Sequence, residues 1–448
     1  MRKARNTQAA SWTRGRAGRY AATAVGTVAV LGFGVFAAAA AQAATTKTLY
    51  VSQGGLDSGT CTSASPCATV SYALTQAASG ATIKVSGTID DHLSITSPVT
   101  ITTWPDGPAG SPGVLDGTAS GTVVTVGSGV TGVTLNDLTI ENGTSDYTGG
   151  ILNSGTLTLT DSTVAGNSGN GDAGDGIWNY NGATMTIIDS TVANNSGYGF
   201  GISNSGTMTV IASTISGNTS STGGGGIYSG SGNIATLGAT IVADNTGSNC
   251  VAGAAGSLVS AGYNLTNDKT GTACGFDAAT DLVKANPLLG PLASNGGPTQ
   301  TLLPGAKSPA ADVIPETTTL RGVTVCPGTD QRGVPRPGHG ETGCTIGAVE
   351  AALSKATTTS VTLSPTTVTA GTRVIYLAVV NPKSGTGTPT GTISFSTGST
   401  SLCTAILSGG VAACGATTAP SGTDTVTGTY SGGDGYASSS GTATLTVS

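Results

Sequence analysis

"GILNSGTLTLTDSTVAGN" occupies Gly150–Asn167. The chain then writes "GIWNYNGATMTIIDSTVANN" (Gly176–Asn195) and "GISNSGTMTVIASTISGN" (Gly201–Asn218), with a looser copy from Gly226. The copies begin 26, 25 and 25 residues apart. A period in this range belongs to stacked supersecondary units. Inside each copy, "TLTLT" and "TMTVI" alternate polar and apolar with period two, as strands do, and helical spacing is absent. A unit of this length with two or three short strands fits one coil of a parallel β-helix.

The alignment predicts which side chains stack. Ile151, Ile177, Ile202 and Ile227 form one interior column. Leu157, Met185 and Met208 form a second, and Leu159, Ile187 and Val210 a third. Asn153, Asn179 and Asn204 share the face of the stacked Ile, and Asn167, Asn195 and Asn218 close each copy at a turn. Stacked amides can hydrogen-bond along the coils and so satisfy polar groups whose burial would otherwise be costly.

Composition supports an all-β reading. Only 9% of the 448 residues are charged and 4% aromatic, while Gly alone counts 71. Small turn residues alternate with β-branched runs. Met1–Tyr20 carries six basic residues and no acidic one, Ala21–Ala40 is continuously small and apolar, and Ala41-Gln42-Ala43 fits a cleavage site. Residues 1–43 are therefore expected to be an export signal; a retained membrane anchor is the alternative. Cleavage leaves 11 basic residues against 23 acidic ones, a charge of about −12. No Lys or Arg occurs between Lys84 and Lys269. Such a surface cannot neutralise phosphates, so neither nucleic acid nor an anionic membrane surface is an expected partner. The mature chain is expected to be a monomer.

All eight cysteines follow the export segment, in the local couples Cys61/Cys67, Cys250/Cys274, Cys326/Cys344 and Cys403/Cys414. An even count after an export signal reads as disulfides, paired here by neighbours. A zinc site is the rival, but no C-x-x-C occurs and His92 and His339 are the only histidines.

On its stacked copies the chain resembles the pectin-lyase-like, right-handed parallel β-helix superfamily, and the handedness is taken from that resemblance. The coils are expected over roughly residues 80 to 270, within a unit spanning 44–285. "LYVSQGGLDSGTCTSASPCATVSYALTQAASGATIKV" (Leu49–Val85) is similar to the family's entry segment, with a capping helix near Ala68–Ala78. "NPLLGPLASNGGPTQTLLPGAKSPAAD" (Asn286–Asp312), with "TDQRGVPRP" and "CTIGAVE", resembles the choice-of-anchor Q domain over 286–350. A linker at 351–358 follows. Residues 359–448, with "YSGGDGYASSSG" (Tyr430–Gly441), resemble a bacterial Ig-like repeat domain. There, a two-residue turn at Ser408-Gly409 would set Cys403 opposite Cys414. The expected architecture is all-β: a right-handed parallel β-helix followed by a small Ig-like β-sandwich.

Several proteins of the β-helix superfamily cleave polysaccharides, so the chemistry has to be sought residue by residue. Lyases of this type typically take a proton with Arg or Lys beside calcium, and no cation lies among the repeats. "GHG" at Gly338–Gly340 sits in the anchor-type segment and reads as a Gly-rich turn. The catalytic candidates are Asp137, Asp161 and Asp189, aligned as "NDLT", "TDST" and "IDST". Coils about 4.8 Å apart would put two such carboxylates near the separation of about 5–5.5 Å used by retaining glycosidases. The structural alternative is that each Asp caps its own turn, since the next copy carries Ala212 there. Asp172 and Asp175 in "GNGDAGDGIWN" are candidates for calcium; no other cofactor is implied. Glycan-binding candidates are Trp178, Tyr180 and Tyr228, with Tyr198 and Phe200 nearby. Packing of these rings under a loop is the alternative.

These observations lead to a secreted or cell-surface bacterial β-helix protein without catalysis, serving display, adhesion or contact with extracellular glycan or cell-wall polymer. The rivals are a hydrolase or lyase using the Asp column, and a purely structural stalk. The hydrolase requires an open groove with aromatics beside the carboxylates.

Overall fold

The computed structural model describes residues 47–448, apart from 172–173, 254–256, 270–271, 306, 339–340, 352–355, 384–386 and 434. The export segment, Asp172 and His339 lie outside the described residues.

The repeats build three parallel sheets around one core. In the aligned copies, the first sheet takes Thr156–Thr160, Thr184–Ile188, Thr207–Ile211 and Ile234–Gly238. The second takes Thr163–Ala165, Thr191–Ala193, Thr214–Ser216 and Ile241–Ala243. The third takes Ile151–Asn153, Gly174–Asn179, Phe200–Asn204 and Ile227–Ser229. The stack begins at Thr48–Ser52, which already pairs with the strand Ala81–Asp90. The fold is a right-handed parallel β-helix.

The register matches the sequence alignment. Ile151 pairs with Ile177, Ile177 with Ile202, and Ile202 with Ile227. Leu157, Met185 and Met208 are likewise partners, as are Leu159, Ile187 and Val210. All are buried in one core cluster. Each would contribute on the order of 2 kcal/mol by leaving water. Outward, the first sheet carries one threonine column running from Thr48 through Thr82, Thr100, Thr134, Thr158, Thr186 and Thr209 to Thr236. Branched Thr suits a pleated, half-exposed surface.

Two amide ladders run inside. Asn153 donates to Asn179 and Asn179 to Asn204, each at 2.8 Å. Asn167 donates to Asn195 at 3.0 Å, Asn195 to Asn218 and Asn218 to Asn245, each at 2.9 Å. Five of these residues are wholly buried with Asn153, so each bond answers a group that water cannot reach.

The N-terminal end is closed by the helix Val70–Gln76, whose Thr69 cap accepts from the Tyr72 N–H. Val70 and Ala73 of this helix are buried at the end of the core. The Cys61–Cys67 disulfide lies just before it. Cys250–Cys274 and Cys326–Cys344 also pair as neighbours.

Residues 286–350 return along the outside of the second sheet as a strap. The repeated Thr of "STV" and "STI" is what they grip. Thr163 donates to the Gln300 carbonyl and Thr191 to Gln331 Oε1, each at 2.6 Å. The Ala348 N–H donates to Thr214 Oγ1 at 3.0 Å. Ala310, Ile314, Val325 and Ile346 then bury Ile211, Ala239, Ile241 and Leu265 in a second apolar cluster.

The Ig-like unit has a three-stranded sheet (Thr357–Ser364, Val374–Pro382, Val411–Ala416) and a five-stranded sheet ending at Thr400–Ile406. Tyr376 and Phe395 meet between them at 5.6 Å. Two details differ from the sequence reading. The tight turn is Gly409-Gly410, both at positive φ, flanked by the Ser408–Val411 pair. The Cys403–Cys414 bridge forms, but Cys403 sits in one sheet opposite Phe395 and Cys414 in the other opposite Tyr376. The strands diverge after the turn, so the bridge staples two sheet edges.

Candidate functional site

The carboxylate column stands at the corner between the first and second sheets. Asp137, Asp161 and Asp189 have φ of 54, 48 and 43°, and Ala212 and Ala239 continue the column at 48 and 51°. One left-handed residue turns the chain through this corner, and Asp tolerates that conformation better than most residues. This backbone requirement, rather than an Asx cap, is what the three positions share.

The strap covers the middle of the column. Arg336 reaches Asp189 at 3.4 Å, with its guanidinium buried and also donating to the carbonyls of Thr345 and Gly347. Thr299 donates to the Asp161 carbonyl at 3.2 Å. Asp330 lies below, held by Arg332 at 2.6 Å and by the Glu350 N–H at 2.8 Å. Burial first, then the charges of Asp189, Asp137 and Asp330, push the Asp161 pKa up to about 7, against partial relief from Arg336. Burial also raises Asp189, to about 6; Arg336 pulls it back and Asp330 pushes it up. Asp137 sits where the strap opens. It lines a cavity of about 420 Å³ with Arg332 and Pro298. Burial raises its pKa too, while the Asn136 amide at 2.5 Å lowers it.

Asp175 is buried at the start of the third-sheet strand Gly174–Asn179. Its Oδ1 accepts the Gly199 N–H at 3.2 Å, and Oδ2 has no partner among the described residues. Gly197 is required beside it, because a Cβ there would come within 2.4 Å of Oδ1. Burial raises the Asp175 pKa to about 7. Among the described residues no three His, Cys, Asp or Glu side chains gather to hold a metal.

The aromatic candidates occupy the outer face of the third sheet. Register places Leu152, Trp178, Ser203, Tyr228 and Val251 in one outward column. Trp178 meets Tyr180 edge-on at 4.9 Å and stacks near Tyr147 at 6.3 Å. Tyr228 stacks on Phe200 at 5.0 Å with an interplanar angle of 18°. Tyr147, Tyr180 and Tyr198 are 63, 45 and 51% exposed, so they do not pack beneath a loop. Gly224 lies close against the Phe200 ring, where a Cβ would come within 2.5 Å.

Two family descriptions match this chain. "Right handed beta helix region" covers residues 117–271, and "Bacterial Ig-like domain (group 3)" covers residues 361–448. The coils and the C-terminal sandwich seen in the structure agree with these two descriptions over those residues. Neither a curated protein nor a solved structure matches it.

In this β-helix protein the two candidate groups are kept apart. The carboxylates turn the corner between the first and second sheets, whereas the rings project from the third. The aromatics that the hydrolase reading requires beside the column stand on another face. Two participants escaped sequence reasoning. Arg336 lies in "TDQRGVPRP", far along the chain from the Asp it meets. Tyr147 precedes the first clear copy, so no alignment marked it; its only signal was the general scarcity of aromatics.

Proposed function

We propose that this is an exported bacterial protein that displays a rigid β-helix and contacts extracellular glycan through the rings of its third sheet, without catalysis. The observation carrying the reading is the outward group of Tyr147, Trp178, Tyr180, Phe200 and Tyr228, in a chain whose surface is otherwise poor in aromatics. Flat apolar rings with polar tips suit the C–H faces and hydroxyls of sugars. Four disulfides and the Ig-like domain support an extracellular setting, and no helix among the described residues is long and apolar enough to cross a membrane.

Co-sedimentation with insoluble cell-wall and plant polysaccharides tests the reading. Wild type should sediment with at least one polymer and Trp178→Ala should lose most of that binding. No polymer bound, or binding indifferent to Trp178, would end it. Export is checked separately: the protein recovered from culture medium should have the mass of a chain starting at Ala44.

A further inference from the structure

We infer that the aromatic face holds a single linear, uncharged, β-linked glycan chain lying along the solenoid axis, with ring-binding positions at Trp178 and Tyr228. The inference rests on the glycan reading above and adds the direction, linkage and charge class of the ligand.

Spacing sets the direction. Trp178 pairs with Ser203 and Ser203 with Tyr228, so the two rings stand in one column with one coil between them. Two rises of the stack place them about 10 Å apart. In a chain of equatorially joined pyranoses, successive sugars turn opposite faces outward, and every second sugar repeats at about the length of a disaccharide. A platform that recurs every second coil meets alternate sugars of such a chain; between the two rings Ser203 is small and buried, and the Phe200 of its strand lies against Tyr228. A curled α-linked chain does not keep that line.

Preorganisation favours the same ligand. Tyr180 and Tyr147 hold Trp178 from its edge and flank, and Phe200 backs Tyr228. Rings fixed before binding lose little rotamer freedom on contact, which raises affinity. The Trp178 indole N–H also lies at 3.5 Å from Ser205 Oγ.

Charge decides between glycan classes. The outward column reads Ser94, Thr125, Leu152, Trp178, Ser203, Tyr228, Val251, with no ionisable residue except the tyrosine phenol. The coils carrying the rings supply no Lys or Arg. Arg332 and Arg336 belong to the strap and are engaged there with Asp330 and Asp189. A uronate or phosphate-bearing chain would find repulsion from an acidic protein and no partner on this face. A neutral chain needs none.

Calorimetric titration with defined oligosaccharides tests the inference. Cellobiose and cellotetraose probe length, N-acetylchitotetraose a second neutral β-linked chain, maltotetraose the linkage, and oligogalacturonate the charge. We expect a β-linked tetramer to bind about tenfold more tightly than cellobiose, since it alone reaches both platforms. Trp178→Ala and Tyr228→Ala should each abolish that gain, while Trp178→Phe keeps part of it. Unaltered thermal melting certifies that the variants fold. Equal affinity for dimer and tetramer, equal binding of maltotetraose, or preference for oligogalacturonate would overturn this inference. Any of these outcomes would leave the wider glycan reading standing, provided Trp178-dependent sedimentation with polymer is seen. No binding in either assay sinks both.

Discussion

The Arg336 guanidinium sits 3.4 Å from the Asp189 carboxylate, although the two belong to distant parts of the chain. Their contact joins the strap to the corner of the coils, with the guanidinium wholly covered and the carboxylate still 20% exposed.

Breaking that pair should be expensive. Arg336→Met leaves the partly buried Asp189 carboxylate without its partner and takes a donor from the Thr345 and Gly347 carbonyls, and should lower unfolding free energy by about 2–4 kcal/mol. Asp189→Asn removes the buried charge from the other side. The double variant should be more stable than the sum of the single losses implies, because neither charge is then stranded. Urea unfolding of the four proteins measures the coupling. Strict additivity would show that the contact carries no energy.

The buried carboxyls set the direction of the pH dependence. Asp161 and Asp175 titrate near 7 and Asp189 near 6, all raised mainly by burial. An unfolded Asp titrates near about 3.9. Between these values the native state holds protons that the unfolded chain has released, so their contribution is complete below about pH 4. It is lost as pH rises through 6 and 7. Melting temperature should therefore fall from about pH 5 to about pH 8, and Asp175→Asn should flatten the fall. A steeper fall in that variant would contradict the assignment.

The amide ladder should be the least tolerant polar feature. Asn195 accepts from Asn167 and donates to Asn218 and to the Val164 carbonyl. Asn195→Ala orphans several buried groups and should cost about 3 kcal/mol or more. Thr184→Ala, on the exposed side of a neighbouring strand, should stay within about 0.5 kcal/mol. Equal losses in the two variants would remove the special status of the ladder.

The Ig-like unit depends on its staple. Removing Cys403–Cys414 frees a loop with a sequence separation of 11 and should destabilise this unit by about 3 kcal/mol. Calorimetry of the double Cys→Ala variant should show one transition moving down while the coil transition stays in place.

The repeat made the coils legible because each position answers to the same position one period away. Ile177, Met185 and Ile187 could be stacked by counting alone. The limit of counting appears at Thr163, Thr191 and Thr214: they align perfectly, yet their role is to hold Gln300, Gln331 and Ala348, which no local pattern announces. The Asp column was visible as an alignment, but its meaning lay in a left-handed corner and in Arg336. Cys403 and Cys414 were paired correctly, yet a hairpin rule could not say that the strands part into separate sheets.

The ladder that runs through Asn167, Asn195 and Asn218 continues through Asn245 and Asn249 to Asn267 and Asp268. Asn167, Asn195, Asn218 and Asn245 each donate one amide N–H forward along this series and the other back to a carbonyl of the preceding coil, those of Ile140, Val164, Val192 and Ile215. Each amide thus ties its own coil to those on both sides, and the series runs to the last coils. Asp268 puts a carboxylate there, 3.0 Å from the final donor. Any coil grafted in place of residues 267 and 268 would have to bring an acceptor of its own for the Asn249 amide.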